Sequence, residues 1–388
     1  MSGIVVAGGG PAGAAAAALL AGSGRKVLVL ERDGTPADKV CGDFLSVEAQ
    51  QALGDLGLDL PALGASPIRS VRLMHGDRIA EAALPFPALG LSRRALDAAL
   101  LDVAAGCGAA VRRGVKVQNL SRDGAALVLA TGEGELRPDA VFLATGKHEL
   151  RGAARAVRAP KSVGFKTYVA LAPEQTRALR GAVEVVLFEG GYAGLLLVEA
   201  DAANLSLVVS NDRLARAGGT WDGLLASLQA ECALLARRLS GATPLRARPL
   251  AISRLPYGFI HAPGPADLAG VYRLGDQIAV IPSLTGDGVS IALHTARRGA
   301  DAYLAGRSAG EYHADLRRDL RGQMLRASLV HRACLSAALQ PAVLYACWMV
   351  PAIMRVAAAW TRIATPSPRP SPGGRGSREA LSPRERVG

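Results

Sequence analysis

The hydrophobic pattern at the start of the chain predicts a strand, a turn, a helix and a second strand. A short apolar run at residues 4–7 is followed by a glycine-rich segment at 8–13 and an alanine-rich stretch at 14–20. A second apolar run, at 27–30, ends at the acidic residue Glu31. Short apolar runs that flank a helix are typical of buried strands, so this order predicts the beginning of a parallel α/β sheet.

The same kind of pattern divides the next part of the chain. Helices are predicted over 46–56 and 92–105, each opened by a serine that can cap free backbone N–H groups. Residues 68–84 read as extended segments between these helices. From residue 111 to 144, short apolar segments separated by glycine-containing turns predict a β-meander that returns to the first sheet.

A second region, about residues 160–271, is rich in predicted strands and contains one predicted helix near Trp221–Leu239. The predicted strands of this region lie at 163–171, 183–188, 194–198 and 205–210. A short strand at 271–274 and a helix at 289–304 then return the chain to the first sheet. We therefore predict a mixed α/β (α+β) fold, in which a Rossmann-like domain is interrupted by an inserted β-sheet domain.

The stretch Ala333–Met354 contains no charged residue and is long enough to suggest a membrane span. Pro341 and Pro351 favour two shorter helices instead, because proline ends or kinks a helix. We expect a helix docked over a substrate cavity. The alternative is an interfacial helix held at a membrane by Arg355 and Arg362.

Composition and charge disfavour several classes of protein. The net charge is +12, but aromatic residues make up only 4% of the chain and do not alternate with basic runs, so we expect no nucleic-acid binding. Attraction to an anionic membrane surface or an acidic substrate remains open. The five cysteines show no C-x-x-C spacing, so we expect a reducing cytoplasm, no disulfide framework and no metal site. Peripheral attachment at the inner face of the membrane is the alternative location.

The first glycine-rich segment matches a dinucleotide-binding pattern. Gly8, Gly10 and Gly13 fit G-x-G-x-x-G, in which the glycines allow a tight turn, a close approach to a pyrophosphate and close packing of helix and strand. The free N–H groups of the following helix favour the pyrophosphate, and Glu31 is placed to accept hydrogen bonds from ribose. The predicted contacts of this half-site are Gly8, Gly10, Pro11, Ala12, Gly13, Glu31 and Arg32.

Five segments in a fixed order resemble the flavoprotein superfamily of p-hydroxybenzoate hydroxylase-type monooxygenases and geranylgeranyl reductases, with the closer likeness to the reductases. They cover roughly residues 3–305. The segments are the glycine pattern with Glu31, Lys39-Val40-Cys41-Gly42, Arg93-x-x-Leu96-Asp97, Ala144-Thr145-Gly146, and Gly275-Asp276 followed by Pro282 and Gly286-Asp287-Gly288. The resemblance implies that the dinucleotide is FAD and that NAD(P)H is the electron donor.

The resemblance also implies a role for most of these residues. Asp276 would accept hydrogen bonds from the flavin ribityl chain, and the glycines around Asp287 would turn backbone N–H groups toward the pyrimidine side of the flavin. Cys41 would orient substrate or donate a proton; the alternative is a small structural residue. The implied cofactor contacts are Lys39, Cys41, Gly42, Arg93, Thr145, Gly146, Gly275, Asp276, Pro282, Gly286 and Gly288. For Arg93 and Lys39 the alternative is a solvated surface side chain.

Two segments depart from the family patterns. Thr145-Gly146-Lys147-His148 stands where the aromatic hydroxylases usually carry an Asp-Gly element, which weakens the hydroxylase reading. The segment that begins at Tyr192 reads Tyr-Ala-Gly-Leu-Leu-Leu, whereas geranylgeranyl reductases typically show Tyr-x-Trp-x-Phe-Pro. The substrate pocket has therefore diverged, and its apolar strands suit a hydrophobic substrate as well as a plain sheet core.

These observations predict an FAD-dependent oxidoreductase that uses NAD(P)H. It would reduce a carbon–carbon double bond in a small hydrophobic substrate of the isoprenoid, polyketide or quinone-like kind. The alternatives are a monooxygenase that hydroxylates an aromatic or polyketide substrate, and a flavin- or lipid-binding protein without turnover. The predicted parts are an FAD-binding domain at 1–160 and 271–305, a substrate-binding β-sheet domain at 161–270, C-terminal helices at 306–364 and a disordered tail at 365–388.

Overall fold

A computed structural model of the protein describes residues 3–155 and 162–363, which form nineteen strands and eleven helices. The strands are β1 (Ile4–Ala7), β2 (Val27–Glu31), β3 (Phe44–Leu45), β4 (Ser66–His75), β5 (Arg78–Gly90), β6 (Ala110–Arg113), β7 (Val117–Asp123), β8 (Ala126–Thr131), β9 (Gly134–Leu136), β10 (Ala140–Leu143), β11 (Ser162–Ala170), β12 (Gly181–Phe188), β13 (Gly191–Leu197), β14 (Ala203–Ser210), β15 (Thr243–Pro244), β16 (Leu250–Ser253), β17 (Phe259–Ile260), β18 (Val271–Arg273) and β19 (Ala279–Val280). The helices are α1 (Pro11–Gly22), α2 (Val47–Asp55), α3 (Arg93–Gly106), α4 (Pro173–Leu179), α5 (Asn211–Arg216), α6 (Trp221–Glu231), α7 (Ala233–Arg238), α8 (Gly288–Leu304), α9 (Ala309–Leu335), α10 (Gln340–Met349) and α11 (Ala352–Trp360). The predicted disordered tail at 365–388 lies outside the described residues.

The first sheet is parallel and has five strands in the order β18-β10-β1-β2-β6. Successive side chains of its strands point to opposite faces, as in any β-strand. Ile4 and Val6 join the core under the helices α1, α3 and α8, whereas Val5 and Ala7 pack against the small antiparallel sheet β7-β8-β9. Both faces of the inner strands are therefore covered, which explains why β1, β2 and β10 read as continuous apolar runs.

The predicted fold class is confirmed. Two glycine-rich segments far apart in sequence are brought together, because β18 pairs with β10 and β10 pairs with β1 at the centre of the parallel sheet. The serine caps are confirmed as well. Ser46 and Ser92 each accept a hydrogen bond from the backbone N–H three residues on, at the starts of α2 and α3.

The second sheet has nine strands and runs β15-β11-β14-β13-β12-β4-β5-β3, with β16 paired to β11. Its strands β3, β4 and β5 come from residues 44–90, inside the range predicted for the FAD-binding domain. They join this sheet because β4 pairs in parallel with β12, more than 100 residues further along the chain. Local periodicity predicts that a segment is extended but carries no information about its partner.

The single helix predicted near Trp221–Leu239 is wrong. The chain forms two helices, α6 and α7, which are separated at Cys232, where the backbone is extended (φ −131°, ψ 95°). Two further short helices, α4 and α5, lie in the region predicted to be strands and loops. Helices of six or seven residues span barely two turns, so they show too little periodicity to be recognised in a sequence.

The charge-free stretch near the C-terminus divides into short helices, as predicted. The long helix α9 begins at a capping box formed by Ser308 and Glu311, and α10 and α11 follow with a bend of 111° between them. Among the described residues no single helix is long and apolar enough to cross a bilayer, although α10 and α11 pass that test when taken together. The inner faces of α10 and α11 pack against β4 and β5 of the second sheet.

Candidate active site

A cavity of about 390 Å³ lies at the carboxyl ends of the parallel strands β1, β2, β10 and β18. Sixteen of the eighteen predicted cofactor contacts line it, so the structure joins the N-terminal and C-terminal glycine segments in one site. They are Gly8, Gly10, Pro11, Ala12, Glu31, Arg32, Lys39, Cys41, Gly42, Arg93, Thr145, Gly146, Gly275, Asp276, Gly286 and Gly288. The remaining two, Gly13 and Pro282, do not line the cavity.

Gly13 acts in packing. A Cβ atom at this position would lie 1.9 Å from the carbonyl oxygen of Gly8, so only glycine lets α1 approach the end of β1. Gly8 has φ +107°, and a Cβ atom there would lie 2.4 Å from the carbonyl oxygen of Ala144. Together these glycines form the tight strand-to-helix turn that the motif predicts.

Two helices present uncapped N-termini at this cavity. Gly10, which has no side chain to act as a cap, precedes α1. Asp287 precedes α8, and its side chain does not cap that helix. The first turns of both helices contain no acidic residue. Free backbone N–H groups and the helix dipole therefore favour negative charge at both ends. This donor set suits a pyrophosphate at α1 and an electron-rich flavin edge at α8.

Glu31 closes the turn between β1 and α1. Its carboxylate accepts hydrogen bonds from the backbone N–H of Gly9 at 2.7 Å and of Asp33 at 3.1 Å. The Lys39 ammonium lies 3.7 Å from Glu31 and forms a closer ion pair with Asp33. Burial lowers the pKa of Lys39, and the Glu31 carboxylate opposes that shift. The predicted ribose acceptor is thus a buried carboxylate with a cation beside it.

Arg93 is a half-buried cation in the cavity wall, not a solvated surface residue. Its guanidinium makes a two-pronged ion pair with Asp97, at 2.7 and 2.8 Å, one helical turn further along α3. Burial lowers the pKa of Arg93, but the Asp97 carboxylate outweighs this and raises it overall. The guanidinium lies 3.1 Å from the point where a Cβ atom of Gly10 would stand, so it borders the entrance to α1 directly.

The second glycine segment contains two backbone conformations that favour glycine. Gly275 has φ +55°, and its backbone N–H donates to the Thr295 hydroxyl at 2.8 Å. Gly286 has φ +72°, and a Cβ atom there would lie 2.6 Å from the Phe44 ring. Pro282 precedes the 3₁₀ turn Ser283–Thr285, which leads into Gly286. Pro282 therefore contributes to the turn and does not line the cavity.

These features fit FAD. The uncapped N-termini of α1 and α8 offer backbone donors, Glu31 and Asp276 offer acidic acceptors, and glycines keep both cradles clear of side chains. When bound, FAD supplies the carrier for a pair of electrons. The individual cofactor contacts remain predictions.

A second cavity, of about 400 Å³, adjoins the first and is lined almost entirely by apolar side chains. Its walls come from the inner face of the second sheet, and α10 and α11 form its roof, as predicted for a docked C-terminal helix. The two cavities share Val40, Cys41, Gly42, Phe44, Lys147, Tyr257, Ser283 and Gly286. A hydrophobic ligand in this cavity would therefore lie next to the flavin end of the first.

The loop that carries Cys41 is anchored by a buried ion pair that the sequence did not reveal. Asp43, which has φ +57°, accepts hydrogen bonds from Lys166 and from the Tyr168 hydroxyl, each at 2.6 Å. The amide of Asn204 donates to the Cys41 carbonyl at 3.1 Å. Burial raises the pKa of Asp43, and the Lys166 ammonium opposes that shift. The only sign of this ion pair in the sequence is Lys166, a lysine within the otherwise apolar strand β11.

Three hydroxyl groups meet where the two cavities join. Tyr192 and Tyr257 both hydrogen-bond to the Ser283 hydroxyl, Tyr257 at 2.7 Å. Burial raises the pKa of Tyr257 to about 12, and burial also raises the pKa of Tyr192 well above its ordinary value. The His331 ring contacts both tyrosine rings edge-on, and burial lowers its pKa to about 4. No motif in the sequence marks this hydroxyl cluster, and Ser283 was not predicted.

A second buried ion pair holds the roof in place. Asp287, which is fully buried, lies 2.8 Å from Arg362, just beyond the end of α11. Arg362 also donates to the Thr285 carbonyl and lies over the Phe86 ring. Burial raises the pKa of Asp287 to about 7, and Arg362 opposes the shift. Arg362 therefore binds within the protein and is not the membrane-facing anchor of the alternative prediction.

One group of residues in the described chain has metal-ligand chemistry. The ligand atoms of His261, Asp267 and His313 lie within 4.8 Å of one another. His261 already hydrogen-bonds to Asp267 at 2.9 Å, and Nε2 of His313 accepts the backbone N–H of Arg273. The Asp267 carboxylate already has a positively charged neighbour, because the Arg273 guanidinium lies 3.8 Å from it. We therefore assign this cluster to packing between α9 and β18.

Comparison with known families supports the cofactor. The family described as FAD binding domain matches residues 1–138. Residues 1–138 therefore match an FAD-binding domain, which supports the predicted cofactor and the FAD-binding part of the predicted resemblance. The closer likeness to geranylgeranyl reductases stays a prediction. No curated protein matches the chain.

Solved structures of similar fold are other flavoproteins. The flavin-dependent brominase Bmp2 is 18% identical, with 93% of this chain and 94% of that chain covered and a TM-score of 0.76. The halogenase PltM, solved with phloroglucinol and FAD, is 15% identical, with 92% and 81% covered and a TM-score of 0.68. A flavoprotein/dehydrogenase from Cytophaga hutchinsonii is 17% identical, with 86% and 88% covered and a TM-score of 0.68. At these identities the likeness establishes the fold.

Proposed function

We propose that this flavoenzyme takes electrons from NAD(P)H and reduces a carbon–carbon double bond in a hydrophobic isoprenoid, polyketide or quinone-like molecule. The observation that carries the proposal is the wall shared by the two cavities. It brings an apolar ligand site next to the predicted flavin site, with Cys41, Tyr257 and Ser283 at the junction.

The apolar cavity supplies binding and exclusion of water. Its side chains come from β4, β12, β13 and β14 below and from α10 and α11 above. Because most of the lining is apolar, a hydrophobic chain gains most by lying along these walls with its reactive end at the junction. Exclusion of water there also protects a reduced cofactor from side reactions.

The hydroxyl cluster is suited to donate the proton. Reduction of a double bond adds two electrons and two protons. NAD(P)H supplies the electron pair and one proton as a hydride equivalent, and solvent supplies the second proton. A pKa of about 12 keeps Tyr257 protonated at neutral pH, so its Oη can give a proton to substrate. Ser283 and Tyr192 can then return a proton to Tyr257 along their hydrogen bonds. Cys41 is the alternative donor at the same junction.

The cofactor and the reaction are tested separately. The purified protein should show a flavin absorption spectrum, and a colourless preparation that cannot be reconstituted with FAD would exclude a flavin role. Anaerobic incubation with NAD(P)H and prenylated quinones or polyketide enones should yield the saturated product. Strict dependence of product formation on oxygen would overturn the reductase assignment.

The second candidate function is oxygen-dependent modification of the same substrate class. It is favoured by the fold neighbours named as a brominase and a halogenase, which cover almost the whole chain. The test is oxygen uptake coupled to NAD(P)H oxidation, with and without bromide or chloride. A hydroxylated or halogenated product would establish this function, and a saturated product formed without oxygen would exclude it. Tight ligand binding with neither product would identify a binding protein.

A further inference from the structure

The outer surface of the last three helices is unusually apolar. Of the twelve large hydrophobic side chains that are exposed among the described residues, ten lie between residues 325 and 360. They are Leu325, Leu329, Leu339, Tyr345, Trp348, Met349, Val350, Ile353, Val356 and Trp360. Single exposed apolar residues are ordinary, but a concentration of this size marks an interaction surface. We call it the roof surface.

The charge around the roof surface has one sign. Residues 320–363 contain five arginines and no aspartate or glutamate. Arg362 pairs with the buried Asp287, and Arg326 donates a hydrogen bond to the Trp360 carbonyl. Arg321, Arg332 and Arg355 are exposed and form no ion pair with another described residue. Exposed cations beside exposed tryptophans are what the headgroup region of an anionic bilayer attracts.

The shape of the roof surface fits a partner that covers it from one side. α10 and α11 have ten and nine residues and meet at 111°, so each is about 15 Å long at 1.5 Å per residue. Neither spans the roughly 30 Å of a bilayer core. The inner faces of α10 and α11 pack against the second sheet. Both helices therefore lie along the sheet, with their apolar outer faces exposed.

The apolar cavity borders the roof surface at Ile353. Ile353 lines the cavity and is also 42% exposed, so it lies between the cavity and the exposed side chains of α11. A hydrophobic molecule dissolved in a membrane would then pass from lipid into the cavity without crossing water. This continuity favours a lipid surface over a protein partner.

We propose that the roof surface docks the protein on an anionic lipid bilayer, with Trp348, Val356 and Trp360 in the headgroup region and Arg355 on the lipid phosphates. Entry of substrate from the bilayer past Ile353 rests on the proposed function; the docking itself does not.

Vesicle flotation with the full chain tests the docking. The protein should float with vesicles of phosphatidylcholine mixed with phosphatidylglycerol, and less with phosphatidylcholine alone or at high salt. A Trp348→Ser, Val356→Glu double variant should bind at least roughly tenfold more weakly, and Arg355→Gln about fivefold, which is about 1 kcal/mol for one surface arginine. Leu245→Glu is the matched control, since Leu245 is 53% exposed but lies outside the roof surface. Equal binding by all variants would overturn the proposal.

Tryptophan fluorescence gives a second readout. The chain has three tryptophans, and two of them, Trp348 and Trp360, lie on the roof surface. In a Trp221→Phe protein, brominated lipids should quench most of the emission. A concentration-dependent dimer that the double variant abolishes, without vesicle binding, would make a second copy the partner and refute the proposal. Vesicle binding by a chain that reduces no substrate would remove the proposed function and leave the docking surface.

Discussion

Asp287 gives the protein a stability that falls as the pH rises. The side chain is fully buried at the start of α8, and burial raises its pKa from 3.8 to about 7 against the opposing charge of Arg362. Because the folded state holds the proton more tightly than the unfolded state, this stabilisation is complete below the unfolded pKa and is lost as the pH rises through about 7. A shift of about three pKa units corresponds to about 4 kcal/mol in total, of which about 3 kcal/mol is lost between pH 5 and pH 8.

The perturbation is Asp287→Asn, which keeps the size of the side chain and removes its titration. Guanidinium unfolding with saturating FAD, followed by circular dichroism from pH 5 to pH 8, should show the wild type losing about 3 kcal/mol relative to the variant. Arg362→Gln removes the opposing charge, so the loss should extend to higher pH. Asp301→Asn, an exposed acid on the same helix, is the control and should track the wild type. A wild-type stability that rises with pH relative to Asp287→Asn would refute the reasoning, because it would mean that the ion pair outweighs burial.

Three further substitutions test other parts of the structure. Gly13→Ala places a methyl group 1.9 Å from the Gly8 carbonyl oxygen, so the protein should fail to retain FAD, measured by flavin absorbance of the purified protein. Lys166→Met leaves the buried Asp43 without its partner and should lower the unfolding free energy by about 3–5 kcal/mol, measured by denaturant titration. Tyr257→Phe removes the predicted proton donor and should reduce kcat roughly a hundredfold with little change in KM, measured by anaerobic product formation.

Each of these substitutions has a matched control. Gly22→Ala, in the same helix as Gly13 but with no atom near the added Cβ, should be tolerated, and equal damage by both would contradict the close-packing argument. Adding Asp43→Asn to Lys166→Met should restore part of the lost stability; no recovery would mean that the ion pair is not the cause. Tyr303→Phe, on α8 and lining neither cavity, should leave kcat unchanged.

The parallel sheet was predictable from sequence because its signals are local. The inner strands β1, β2 and β10 are buried on both faces and therefore read as short apolar runs, and the glycine turn follows β1 directly. The second sheet was less predictable from the sequence. The strands β4 and β5 have the alternation of a half-buried hairpin, yet their neighbour β12 lies far along the chain and their pairing depends on tertiary contacts.

The groups at the junction of the two cavities could not be predicted from the sequence for the same physical reason: their contacts join residues that are far apart in the chain. Cys41 was recognised from its motif, but the groups that fix its loop, Lys166 and Tyr168, come from a strand of the other sheet, and neither carries a motif. Buried charges of this kind persist because removal of one partner leaves the other uncompensated. A lysine in an otherwise apolar strand is therefore a useful sign of a distant carboxylate, and in this chain that carboxylate, Asp43, lies two residues from the cysteine at the candidate active site.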